Sequence, residues 1–98
     1  MKEIILFDYT GPFASNKDAA REIRETIIFP TLEKNDELII NFDKITGATQ
    51  SFVHALISES MRIYGVQNAL EKIKFKSCNE KVKAIITIVA EYMQASLS

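Results

Sequence analysis

The chain has one cysteine, one histidine, no tryptophan, two prolines and three glycines in 98 residues. Each scarcity removes a class of chemistry. A single thiol, Cys78, cannot form an intrachain disulfide, so the cysteine usage demands no oxidising compartment. His54 and Cys78 are the only residues of their kinds. A zinc site within one chain would have to rely on carboxylates, and no metal is expected. Gly11, Gly47 and Gly65 stand alone, so neither a Walker loop nor a dinucleotide fingerprint is present. One histidine could serve a Ser-His-Asp triad, but no motif places one. Neither a catalytic role nor a cofactor is expected.

Excess charge of either sign is also missing. Twelve Lys and Arg face thirteen Asp and Glu, for a net charge of −1, so a sequence-independent grip on nucleic acid is not expected. No run approaches the roughly 18 apolar residues of a membrane span. The run Ile4 to Phe7 is too short for a signal peptide and closes on Asp8. A soluble, cytoplasmic chain is expected. Hydrophobic residues make up 47% and charged residues 26%, ordinary for one globular domain over residues 1–98. A chain this small buries roughly two-thirds of its unfolded surface, which leaves little room for a deep substrate cavity.

The apolar patterning alternates between strands and helices. Glu3 to Asp8 is a short apolar run, expected as a strand buried on both faces. After Gly11-Pro12, Ser15 and Asn16 are N-cap candidates, with Asp18 in the first turn. Ala20, Ile23 and Ile27 recur at helical spacing, opposite Arg21, Glu22, Arg24 and Glu25, until Pro30 ends or bends the helix. Asn35-Asp36 is a turn and Glu37 to Phe42 a second strand. Asp43 to Gln50 reads as a loop.

A second helix is expected from Gln50 to Tyr64. Phe52, Leu56 and Ile63 lie on its inner side, with Val53 and Ile57 beside them, and Gly65 forms a left-handed cap. Gln67 to Glu71 makes one further turn. Lys72 to Lys76 alternates as a half-exposed strand, with Ile73 and Phe75 inward. Ser77 to Glu80 has capping-box spacing ahead of a third helix carrying Val82, Ile85, Ile86, Val89 and Met93 on one face. Ile88 and Tyr92 widen that stripe. Ala95 to Ser98 are expected to fray. The order predicts an α/β layered domain of three to four mainly parallel strands with three main helices.

Asn41 to Leu56 is the informative stretch. A strand ends, a polar loop crosses, and a helix starts at Thr49-Gln50-Ser51. In open α/β sheets, ligands and partners gather at the carboxyl ends of strands. With Thr49 as N-cap, Ser51 is the second helical residue, its hydroxyl beside free backbone N–H groups that favour a phosphate. Plain helix capping explains the same residues. His54, early in this helix, reads either as a half-buried helix residue or as a pH-sensitive contact near the loop. Cys78 reads as a small packed residue.

The chain resembles the STAS domain (sulphate transporter and anti-sigma-factor antagonist), and in particular the bacterial STAS-like domain family of unknown function. The resemblance rests on Ser15-Asn16-Lys17-Asp18-Ala19-Ala20-Arg21-Glu22-Ile23-Arg24, on Asn41-Phe42-Asp43 and on Thr49-Gln50-Ser51-Phe52-Val53-His54-Ala55-Leu56. Tyr64-Gly65, Ile73-Lys74-Phe75 and Cys78-Asn79-Glu80 add to it. In anti-sigma-factor antagonists, a serine at this helix start is phosphorylated by a histidine-kinase-like ATPase, and the phosphorylated domain lets its partner go. Ser51 is the matching position. Thr49 stands where those antagonists carry an acid, and Phe52 where they carry glycine. Asn16 replaces the arginine of the STAS-like pattern.

The resemblance implies a non-enzymatic regulatory module that binds a protein, a histidine-kinase-like ATPase or an anti-sigma-factor-like partner. Thr46, Gly47, Thr49, Gln50, Ser51, Phe52 and His54 are its expected contacts, with Ser51 the phosphoacceptor. Two alternatives remain beside it. One is an oligomeric scaffold, a homodimer sealed by the wide stripe of the third helix. The other is an anion or nucleotide binder using the helix starts at Ser15-Asn16 and Thr49. Lys72, Lys74 and Lys76 read as a guarded edge or as a docking patch for an acidic partner.

Overall fold

A computed structural model describes residues 1–97. Three parallel strands, β1 (Lys2–Ile5), β3 (Leu38–Asn41) and β5 (Ile73–Lys76), form a sheet in the order β1-β3-β5. Leu38 pairs with Lys2 on one side and Ile73 on the other, and Ile40 with Ile4 and Phe75. Helices α2 (Lys17–Ile23), α4 (Gln50–Tyr64) and α6 (Glu80–Leu97) cover one face, with α4 packed against both others. The architecture is the expected α/β layered domain.

The inner face of the sheet, Ile4, Leu38, Ile40 and Ile73, is buried against Phe42, Phe52, Leu56, Ile57 and Met61. On the outer face Glu3, Ile5, Lys74 and Lys76 are exposed, and Ile39 and Asn41 are half-buried. A strand buried on both faces was the expectation for β1; only Ile4 is buried in it, because helices cover one side alone. Glu3 accepts a hydrogen bond from Asn41 at 3.0 Å and pairs with Lys76 at 3.5 Å across that outer face.

The first strand also ends earlier than Asp8. Leu6 turns into the core and its carbonyl accepts from the Tyr9 and Thr10 amides, which closes the helical turn α1 (Phe7–Thr10). Gly11, at φ 70°, ends it. Pro30 does not end the first long helix. Residues Arg24–Ile28 widen into a π-helical turn, the Phe29 amide bonds to Arg24 five residues back, and α3 (Phe29–Glu33) carries on through the proline. A proline lacks the N–H that would bond to Thr26, and its ring would press on that carbonyl. The wider turn accommodates both. Burial of Ile27, Ile28 and Leu32 holds the helix on course.

Helix α4 has the expected bounds, but its inner side differs. Ile63 is 60% exposed, while Ser58, Ser60 and Met61 are buried. Gly65 has φ 89° and ψ 149°. That is an extended conformation at positive φ, open to glycine and outside the left-handed helical region. It links α4 directly to α5 (Val66–Lys72), which is longer than the single turn expected. Lys72 closes that helix, so only Lys74 and Lys76 project from β5. The cap of α6 is Asn79 and not Ser77: its side chain accepts from the Val82 amide at 2.9 Å, and Ser77 sits at φ 62° outside the helix. Helix α6 extends through Ala95 to Leu97; Ser98 lies outside the described residues.

Candidate functional site

Two very short strands organise the carboxyl end of the sheet. β2 (Phe13–Ala14) and β4 (Gly47–Ala48) pair in parallel, Phe13 with Gly47 and Ala14 with Ala48. β4 falls within the stretch expected to be loop. Two residues carry no periodicity, and only the pairing across the fold defines them. The Thr46 amide and hydroxyl both donate to the Pro12 carbonyl, at 2.7 and 3.1 Å, and the Thr49 amide donates to Ala14 at 3.0 Å. From the other side, the Asn79 side chain donates to the carbonyls of Thr46 and Ile45, at 3.0 and 3.4 Å. One asparagine thus caps α6 and holds the loop ahead of α4.

Thr49 is the N-cap of α4. Its hydroxyl oxygen accepts from the Phe52 amide at 3.1 Å, and its carbonyl accepts from Val53 at 3.2 Å. Ser51 is therefore the second helical residue, and it is exposed, as are Gln50 and Thr46. No acid lies in this first turn. The α2 start sits beside it, because β2 and β4 are paired one step earlier. There Asn16 is the cap. Its side-chain oxygen accepts from the Asp18 and Ala19 amides at 2.8 and 3.4 Å, and Asp18 pairs with Arg21. An anion arriving at Ser15-Asn16 meets a carboxylate and amides already bonded.

Not every expected contact reaches the surface. Phe52 is 0% exposed and belongs to the core, as its place between Thr49 and Val53 on the inner side of α4 dictates. Gly47 is buried under the ring of Phe13. A Cβ there would stand 2.9 Å from the Phe13 ring, so glycine answers a close approach between β2 and β4. His54 is half-buried and turned toward α6, its ring centroid 5.8 Å from that of Tyr92. Of the expected contacts, Thr46, Gln50 and Ser51 are thus exposed, with Thr49 half-buried among them.

Two residues escaped the sequence reading. Asn79 was legible as an alternative cap, since Asn-Glu directly precedes the apolar periodicity. Phe13 carried no signal. It is 53% exposed and lies against Gly47, so it adds an aromatic ring to the rim of the loop. Lys44, at φ 69°, places its ammonium 6.0 Å from the Phe7 ring on the same rim.

Burial pushes the Cys78 thiol up, against a smaller opposing influence of Lys83. Asp36 is lowered, first by the hydrogen bond from the Glu37 amide, but it lies before β3, at the far end of the sheet. A concavity of about 270 Å³ also opens at that end, lined by Leu32, Asn35, Tyr64, Asn68, Glu71 and Lys72. None of the candidate residues lines it. Among the described residues no cluster of three or more His, Cys, Asp or Glu could hold a metal ion, and no helix is long and apolar enough to cross a membrane.

Comparison with known families adds one positive result. The model of the STAS-like domain of unknown function matches residues 19–83, from the first turn of α2 into the first turn of α6. The span includes the pinned loop, Ser51 and Asn79, and leaves out β1, α1 and β2. Searches of curated proteins and of solved structures return no match. The match covers more than half of the chain, and the chain belongs to the family of STAS-like domains of unknown function.

Proposed function

We propose that this domain is a non-enzymatic regulatory module that docks a protein, a histidine-kinase-like ATPase or an anti-sigma-factor-like partner, through the turn Thr46 to Ser51, and that phosphorylation of Ser51 switches the contact. The observation that carries this reading is the exposure of Ser51 at the second position of α4, on a loop pinned from both sides. A rigid loop loses little conformational freedom on docking. A small neutral hydroxyl there can be covered by a partner surface.

A phosphate on Ser51 brings about −1.5 to −2 of charge and a tightly held hydration shell. The start of α4 tolerates it: the helix dipole and the free amides favour an anion, and no acid in the first turn repels it. Phosphorylation would therefore leave the fold intact and act on the docking surface alone, through repulsion and the cost of stripping water from the phosphate. Against a net charge of −1 the change is large. Gln50, its exposed neighbour in the chain, would feel the change most.

The test is affinity capture from the native host with the unaltered chain, Ser51→Ala and Ser51→Glu as baits. The unaltered chain and Ser51→Ala are expected to recover the same ATPase-fold partner, and Ser51→Glu to lose it. Equal recovery by Ser51→Glu would remove the switch; recovery of no protein by any bait would remove the docking module.

A further inference from the structure

Strand β5 reads Ile73-Lys74-Phe75-Lys76, and its two rows of side chains differ in chemistry. Side chains alternate across a strand. Ile73 and Phe75 face the helices, while Lys74 and Lys76 stand exposed on the open face of the sheet. The backbone is divided in the same way. β5 is an edge strand, paired in parallel with β3 on one side only. The Phe42 amide donates to the Lys76 carbonyl at 2.7 Å. Lys74 and Lys76 therefore turn their amides and carbonyls toward β3, and Ile73 and Phe75 turn theirs outward. The Ile73 amide donates to the Ala69 carbonyl of α5. The Phe75 amide and carbonyl have no hydrogen-bond partner among the described residues.

A trough runs beside this free edge. At the end of β5 a concavity of about 550 Å³ is lined by Phe75, Ser77, Cys78, Lys83, Ile86 and Thr87. A second, of about 370 Å³, has Ala90, Glu91 and Gln94 on one wall, and Lys74 with Leu70 and Glu71 on the other. The α6 residues of the two recur three and four apart, so both concavities lie along a single face of that helix. From Lys83 to Gln94 this face is about 16 Å long at 1.5 Å per residue. Roughly five residues of extended chain have the same length.

We propose that the free edge of β5 is the docking site for an extended, acidic segment of another protein, which adds to the sheet as a fourth strand. The segment's backbone bonds to the Phe75 amide and carbonyl, the main-chain recognition of strand addition. Its inward side chains are apolar and enter the trough against Phe75, Cys78 and Ile86. Its outward side chains are Asp or Glu, because they stand about 5 Å from Lys74 and Lys76 across the new pair. Lys74 makes no ion pair among the described residues, and Lys76 reaches only Glu3, at 3.5 Å. On the other wall Lys83 pairs with exposed Glu80 at 3.7 Å. Glu71 and Glu91 line the far concavity, so the acids of the segment belong at the Phe75 end. The same lysines turn away a second copy of this chain. Two β5 edges joined about a two-fold would set Lys74 and Lys76 of each copy together on one face. Neither this site nor the reading of the Ser51 loop requires the other.

Calorimetric titration of the whole chain with end-capped peptides of about seven residues tests the site. A peptide of alternating Glu and Val should bind, and exchange of the Phe75 amide, followed by NMR, should slow about tenfold near saturation. The same peptide methylated on alternate backbone nitrogens, in both registers, should not bind. Lys74→Glu should weaken binding roughly fivefold, since attraction across the pair becomes repulsion. Lys74→Glu combined with Lys76→Glu should prefer a peptide of alternating Lys and Val, which the unaltered chain refuses. Circular dichroism checks that each variant keeps its fold. No binding of the Glu-Val peptide at millimolar concentration overturns the proposal. So does binding without protection of the Phe75 amide, equal binding of the methylated peptides, or a Lys74→Glu variant that binds as the unaltered chain does.

Discussion

Two helices begin side by side at the carboxyl rim of the sheet, and they begin differently. Both follow a two-residue strand, β2 or β4, and both are capped by a side-chain oxygen, that of Asn16 or Thr49. Three residues past the cap, α2 carries half-buried Ala19 and α4 carries fully buried Phe52. The first turn of α2 contains Asp18 and that of α4 contains no acid. The first start is electrostatically complete. The second is anchored firmly below and left uncharged above, with a hydroxyl in the open position. Two extended caps thus give unequal chemistry, and the start of α4 is the one without a carboxylate to oppose negative charge.

The largest expected effect concerns the anchors. Phe52→Ala should cost about 3–5 kcal/mol in denaturant unfolding, as for other fully buried aromatic rings, whereas Ala19→Gly should cost about 1 kcal/mol through helix propensity. Similar losses at both positions would erase the contrast. Next comes Asn79→Ala, which removes the cap of α6 and releases the carbonyls of Ile45 and Thr46. A loss of about 1–2 kcal/mol is expected. Faster amide exchange around Thr46 to Thr49 than around Ser15 to Lys17 should accompany it. Uniform exchange would show that Asn79 does not pin the loop.

Smaller still are the caps themselves. Asn16→Ala and Thr49→Ala should each cost about 1 kcal/mol, a similarity that sets the two starts on equal backbone terms. The finest comparison is electrostatic. Ser51→Glu should raise stability by about 0.3–1 kcal/mol, Asp18→Ser should lower it by a similar amount, and both effects should shrink in high salt. A destabilising Ser51→Glu would mean that the α4 start does not tolerate negative charge, and the switch would then act by unfolding.

Much of this was legible in the sequence, for physical reasons. Helix α4 was bounded correctly because Thr49 and Gly65 punctuate it with chemistry that acts locally. The parallel sheet followed from alternating apolar runs, and the exposure of Ser51 from its distance of two residues from the cap. What the sequence hid depends on contacts far along the chain. The β2–β4 pairing joins Phe13 to Gly47, and neither residue carries a local sign of it. The helix passes Pro30 because burial of Ile28 and Leu32 outweighs a local breaker. Ile63 is exposed while Met61 and Tyr64 of the same turn stay against the core, so the buried side of α4 ends on residues other than those its start suggests. Phe52 and His54 were expected as contacts through their nearness to Ser51 in the resemblance, although the helical periodicity already set Phe52 on the inner side, where it is buried.

In the proposed switch, Ser51 is a phosphoacceptor on an otherwise unchanged fold. Its most direct test is intact mass measurement, with peptide mapping, of the protein purified from its native host. A fraction heavier by one phosphate is expected, mapped to Ser51, removed by phosphatase and missing from Ser51→Ala. An unmodified mass under every growth condition, or a phosphate that persists in Ser51→Ala, would contradict it.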